Sequence, residues 1–162
     1  MKAGSKAFIL FLFFNLLLAF ALVAPNICQY MGLHGTAYGM KAAASQVCHQ
    51  RPDRSLTLLG YKMIVCARCT GIYAGLIAST ILYPLTRGLK REKIPDAIFL
   101  VIALIPMAVD GTSQLMGFRE STNAIRLVSG FIFGAVIPAY MIPATALFIK
   151  EVRQYLMTGE DN

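Results

Sequence analysis

The chain has 162 residues, of which 57% are hydrophobic and 14% charged, and its mean hydropathy is +0.62. A water-soluble domain carries roughly 25% charged residues, so the composition excludes an ordinary soluble domain and makes the bilayer the expected solvent. In a soluble chain the net charge of +7 and pI of about 9.4 would suggest nucleic acid. Here the basic residues sit in short clusters between apolar runs, where membrane orientation and anionic lipid account for them, and no nucleic-acid partner is expected.

Residues 7–24, AFILFLFFNLLLAFALVA, are 18 almost uninterrupted apolar residues behind Lys2 and Lys6. At about 1.5 Å per residue they approach the roughly 30 Å of a hydrocarbon core. Ala19, Ala21 and Ala24 also offer the small residues of a signal-peptide cleavage site. The run exceeds the roughly 7–15 apolar residues of a signal core, however, so a retained span is expected. A second span is predicted over residues 70–86, where Gly71, Gly75 and Ser79 make a small-residue stripe that lets another helix approach. A basic connector, RGLKREK, follows, and Pro95 suits the first turn of a third span over 95–116. The fourth is predicted over 123–149, with Gly130, Gly134, Pro138 and Pro143 inside it and a polar tail behind it.

Four spans make an all-α membrane bundle, read as a single domain over 1–162, with both termini on one side. The loop cap 25–69 and the turn 117–122 then share the other side. Eight basic residues, Lys2, Lys90 and Arg91 among them, fall on the side of the termini, against seven on the other. The eight are concentrated beside helix ends, so the termini are expected in the cytoplasm of a multi-pass cell-membrane protein.

The cap gathers the chemistry. Cys66 and Cys69 form CARC, and Cys48 and His49 precede Cys66 by 18 and 17 residues. Two thiolates two residues apart can grip one tetrahedral ion, and further ligands 12 to 20 residues away complete many zinc sites. The intervening SLTLLGYKMIV alternates around Gly60 and suits a hairpin that returns the chain to Cys48. Zinc bound by Cys48, Cys66, Cys69 and His49 is therefore expected, as a structural or a catalytic metal. Because Cys48 and His49 are adjacent and chelate one ion awkwardly, His34, Cys28 or water are alternative fourth ligands. A thiol–disulfide oxidoreductase using the CARC cysteines competes with this reading, since a helix N-terminus lowers a thiol pKa. A zinc-dependent lipid-modifying enzyme is the third possibility, with Asp53, Glu120 or an unligated His49 as its general base.

Asp110 falls inside the third span, where an ionisable group needs a partner. It shares a helical face with Gln114, as Asn123 does with Arg126, and an Asp110–Arg126 pair across the two helices is expected. Arg51, Arg54, Arg68 and Arg119 belong to the same membrane face. These arginines outnumber the acids available to neutralise them, which points to an anionic ligand, with phosphorylated or otherwise anionic lipid as the nearest candidate.

CHQRPDRS (48–55), CARCTGIYAG (66–75) and DGTSQLMGFRESTNAIRLVSG (110–130) together resemble the bacterial and archaeal membrane proteins grouped as domain of unknown function 2085. The resemblance covers about residues 45 to 135. It implies a multi-pass membrane protein with a Cys-His and Cys-x-x-Cys motif. It gives weight to Cys48, His49, Cys66 and Cys69, and to Asp110, Gly111, Arg119, Asn123 and Arg126. No activity transfers with it.

Overall fold

The computed structural model describes residues 3–88 and 93–158. Lys2, Lys90 and Arg91 of the charge tally lie outside them. In chain order the elements are α1 (Ala3–Tyr30), α2 (His34–Ala44), a 3-10 turn (Pro52–Arg54), β1 (Ser55–Leu58), β2 (Tyr61–Cys66), α3 (Ala67–Thr86), α4 (Ala97–Leu115), α5 (Asn123–Val136) and α6 (Pro138–Thr158). Among the described residues, four helical stretches are long and apolar enough to cross a membrane: α1, α3, α4 and the run Asn123–Met157 through α5 and α6.

The bundle has small and polar residues inside and large apolar ones outside, as expected where lipid is the solvent. On α1, Phe13, Phe14 and Phe20 are exposed while Gly4, Ala7, Asn15 and Asn26 are buried. Asn15 returns its amide to the Phe11 carbonyl at 2.7 Å, which limits the cost of burying it. Ala7, Tyr83, Ile142 and Ala146 close the other end, where Phe8 stacks on Tyr83 with ring centroids 6.5 Å apart.

Several boundaries differ from those read in the sequence. Helix α1 runs through Pro25 to Tyr30 instead of ending near residue 24. Proline removes only its own N–H, and the surrounding helix holds. Asn26 Nδ2 then donates to the carbonyls of Leu58 and Tyr61 at 3.1 and 3.0 Å, fastening the helix end to the hairpin turn. Helix α3 begins at Ala67, so the CARC motif straddles the helix start where it was expected to precede it. Helix α4 begins at Ala97, which leaves Pro95 just outside it. The fourth stretch is divided at Ile137, because Pro138 cannot donate a bond back to Gly134, and α6 continues through the expected polar tail to Thr158. The cap itself contains helix α2 and the β1–β2 hairpin, paired Ser55 to Cys66 and Leu58 to Tyr61. Its two-residue turn has Leu59 at φ 53° and Gly60 at φ 83°, the positive pair that matches the twist of an antiparallel ribbon.

The closest packing joins α3 to α5. A Cβ added to Gly71 would overlap the Leu127 carbonyl, and one on Gly75 the Phe131 carbonyl. Reciprocally, Gly130 faces the Arg68 carbonyl and Gly134 that of Ile72. These pairs advance in the same direction along both helices, so α3 and α5 are parallel and their N-termini lie together on the face of the cap.

Gly134→Val should therefore lower stability in mild detergent by about 3 kcal/mol or more, because backbone rather than a flexible side chain must move. Gly35→Ala in α2 meets nothing within 4 Å and should be neutral or stabilising by about 0.5–1 kcal/mol. Thermal unfolding of both variants checks the contrast.

Candidate metal centre and arginine-lined cavity

The parallel helices bring two helix starts to one place, each with unpaired amide groups and the positive end of a helix dipole. Cys66 is the N-cap of α3, and Arg68 and Cys69 occupy its first turn. Asn123 and Arg126 occupy the first turn of α5, whose N-cap Thr122 accepts from the Ile125 amide at 3.3 Å.

The hairpin carries the chain from Cys48 back to this point. Ser55 Oγ donates to the Arg51 carbonyl at 3.0 Å, closing the 3-10 turn. The Cys66 amide donates to Cys48 Sγ at 3.3 Å. Cys48 packs with Ile64 and Val65 beneath the hairpin. As a result the Sγ atoms of Cys48, Cys66 and Cys69 all lie within 4.8 Å of one another. Tetrahedral coordination at about 2.3 Å per bond sets sulfur atoms about 3.8 Å apart, so a small contraction suffices for the three cysteines to hold a metal ion. The Cys66 thiol is pulled down to about 5, chiefly by a hydrogen bond from the Cys69 thiol, with the Cys48 thiol and the amides of Cys69 and Arg68 adding to it against the effect of burial. A thiolate is the form that binds metal and attacks electrophiles.

His49 is exposed and stands outside the sulfur group, although it lines the same cavity. The following residue, Gln50, takes a left-handed φ of 50°, and its side-chain Nε2 donates to the Lys41 carbonyl at 2.6 Å. That turn sends the chain from Cys48 out toward the arginines. Cys28 is half-buried and His34 is exposed at the start of α2; neither joins the sulfur group.

Cys48, Cys66 and Cys69 line a cavity of about 370 Å³ together with Arg51, Arg54, Arg68, Arg126 and Gln114, and the described lining residues include no carboxylate. A second cavity, of about 570 Å³, shares Arg51, Arg54, Gln114 and Arg126 with the first and adds Arg119, Ser121 and the acidic residues Asp53 and Glu120. The Nε atoms of Arg68 and Arg126 are buried without a hydrogen-bond partner, that of Arg54 lies 3.6 Å from Asp53 Oδ2, and Arg126 as a whole is 6% exposed. Buried donors are ordinarily satisfied, so two unmet guanidinium N–H groups on residues that line the smaller cavity indicate room for an acceptor.

The expected Asp110–Arg126 pair is replaced by another arrangement. Asp110, 2% exposed, accepts from Arg68 Nη2 on one oxygen and from Arg119 Nη2 on the other, the latter at 2.8 Å. Glycine packing delivers Arg68 from α3, and the turn after α4 folds Arg119 back, so both carboxylate oxygens are taken. Arg126 Nη1 donates instead to Asn123 Oδ1 at 2.9 Å, and Asn123 Nδ2 to the Asp53 carbonyl at 3.3 Å. Asp53 pairs with Arg51 at 3.4 Å and Arg54 at 3.6 Å, both at exposed or half-exposed positions. Ser121 is buried in the wall of the larger cavity, and one residue that the sequence reading passed over contributes: Asn26, which anchors the hairpin. An amide inside an otherwise apolar run was the available signal for Asn26.

Fold and site together define an integral membrane protein that contacts the bilayer through its apolar helices and carries a cysteine cluster able to hold a metal. The chain belongs to the family described as predicted membrane protein (DUF2085), which matches residues 48–140. It is 52% identical over 102 residues to an uncharacterised protein of Methanocaldococcus jannaschii, covering 63% of this chain and 65% of that one. It is 38% identical over 88 residues to an uncharacterised protein of Methanothermobacter thermautotrophicus, covering 54% of this chain and 78% of the relative. No solved structure matches it.

Asp110→Asn leaves Arg68 and Arg119 without their counter-charge. Because those arginines are 26% and 45% exposed, water recovers part of the loss, and destabilisation of about 1–3 kcal/mol is expected in a thermal scan. In metal-free, reduced protein, alkylation of Cys66 should stay fast from neutral pH downward and halve near pH 5, since the thiolate reacts and protonation removes it. Residue-resolved mass spectrometry reads this against Cys28; halving near the roughly 8.5 of an ordinary thiol contradicts the described hydrogen bonding.

Proposed function

We propose that the protein is a membrane-embedded metal centre joined to an anion-binding pocket. In this reading Cys48, Cys66 and Cys69 hold zinc, with His49 or an exogenous group as the fourth ligand. Soft thiolates favour zinc over the hard cations magnesium and calcium. Arg51, Arg54, Arg68, Arg119 and Arg126 receive a phosphate or carboxylate, with Asp110, Gln114 and Asn123 orienting the guanidinium groups. The phosphate of a membrane lipid is the nearest source of such an anion. The site belongs to the extracytoplasmic face of the cell membrane and the termini to the cytoplasm, a reading supported by the basic clusters beside the helix ends on the side of the termini.

The observation that carries this reading is the common cavity: three cysteines and four arginines line the same space, and Arg68 and Arg126 have buried donors without a partner. Binding is favoured over hydrolysis because the nearby bases are few, and Asp53 is already engaged by Arg51 and Arg54. Thiol–disulfide exchange is the second reading, supported by the low pKa of Cys66 at a helix start.

Protein purified in mild detergent should contain about one zinc per chain by elemental analysis. Cys69→Ser should remove it, and Cys28→Ser should not. Cysteines that resist alkylation until a reductant is added, in protein without metal, would replace the metal reading with the redox one. An impermeant maleimide applied to intact cells should label the cap; labelling only after lysis would reverse the orientation.

A further inference from the structure

Helices α4 and α5 enclose a third cavity, of about 480 Å³, which differs in character from the two beside the cysteines. Pro106, Val109, Ile125, Val128 and Ile132 give it apolar walls, and Asp110 and Arg119 stand at its polar end. Val109 and Val128 are 58% and 57% exposed on helices that span the membrane, so the cleft opens sideways to hydrocarbon and not to water. Arg119 belongs both to this cleft and to the larger arginine cavity. Its ion pair with Asp110 therefore stands at the threshold between them.

We propose that this cleft is a lateral slot for one hydrocarbon chain of a phosphate-headed membrane lipid, whose headgroup lies in the arginine cavity. The inference rests on the anion-binding reading given above and specifies its ligand. The slot from Ile125 to Ile132 rises about 10 Å along α5, the length of a lipid-chain segment. Apolar slot and positive chamber meet at one guanidinium, and that polarity is the polarity of an anionic amphiphile. Free phosphate would leave the slot unused. A neutral lipid would leave the buried Nε of Arg126, which lines the arginine cavity, unanswered, and an unpaired buried donor is costly. Arg126 supplies the indication of a ligand that is independent of the groove, being almost wholly buried with that donor unmet.

The test uses the full chain in nanodiscs of phosphatidylcholine doped with phosphatidic acid that carries a photoactivatable group on one acyl chain. Crosslinks are expected on the 106–109 and 125–132 stretches, and the same label on phosphatidylcholine should give about a tenth as many. Binding of inorganic phosphate to the same protein, measured separately by calorimetry, reports the arginine cavity alone. Val128→Trp and Ile132→Trp fill the slot from the lipid side. Each should cut phosphatidic acid crosslinking about tenfold while leaving phosphate binding and metal content as they were. Arg126→Gln should weaken both ligands.

Phosphate binding with no preference for phosphatidic acid, or with crosslinking indifferent to both tryptophan variants, would overturn the slot and leave the anion cavity standing. Equal labelling by the two lipids would likewise overturn it, as ordinary solvation of the helices. Absence of binding by both phosphate and phosphatidic acid would overturn the anion reading and the slot together.

Discussion

Helices α3 and α5 lie so close that the Leu127 carbonyl fills the place of a side chain at Gly71, and the Ile72 carbonyl that at Gly134. Within lipid there is no hydrophobic force to drive two apolar helices together, and association depends on close van der Waals contact between backbones. The contact is parallel, and this sets everything on the capped face. It puts two helix starts side by side, with Cys66, Arg68 and Cys69 from one and Asn123 and Arg126 from the other. A pair of antiparallel helices would have offered one positive end and one negative end to the same space.

Charge then organises the remainder. Asp110 is buried at the end of α4 and held by two arginines that reach it from α3 and from the turn after α4. It joins the glycine-packed pair to the third helix and uses both carboxylate oxygens in doing so. Arg126, which takes no part in that pairing, lines both arginine cavities and keeps a buried Nε without a partner. A network in which every buried donor were satisfied would be a clamp alone; here Arg126 keeps a buried donor that no acid meets.

The cysteine group depends on a different device. Asn26 holds the hairpin turn to the end of α1, and the hairpin sets the Cys66 amide against Cys48 Sγ. Residues 18 apart in the chain thereby become neighbours. The CARC spacing, the alternation around Gly60 and the Gly71–Gly75 stripe were all legible in the sequence because each is a local regularity, repeated over a turn or a strand. The extension of α1 through Pro25 was not, because whether a proline ends a helix in lipid depends on what surrounds it. The partner of Asp110 was misread for a similar reason. Helical spacing put Asp110 and Arg126 on plausible facing sides, but could not say that Arg68 and Arg119 would arrive first.

Hydropathy alone determined that this is a membrane protein with four stretches able to span, because apolar length adds residue by residue along the chain. The motifs around residues 48–130 likewise marked the family without any knowledge of shape. Tertiary structure decided which sulfur atoms converge, which arginines Asp110 takes and which donors are left facing a cavity. Those outcomes turn on the relative direction and separation of helices distant in sequence, and in this protein both are fixed by where four glycines allow one backbone to meet another.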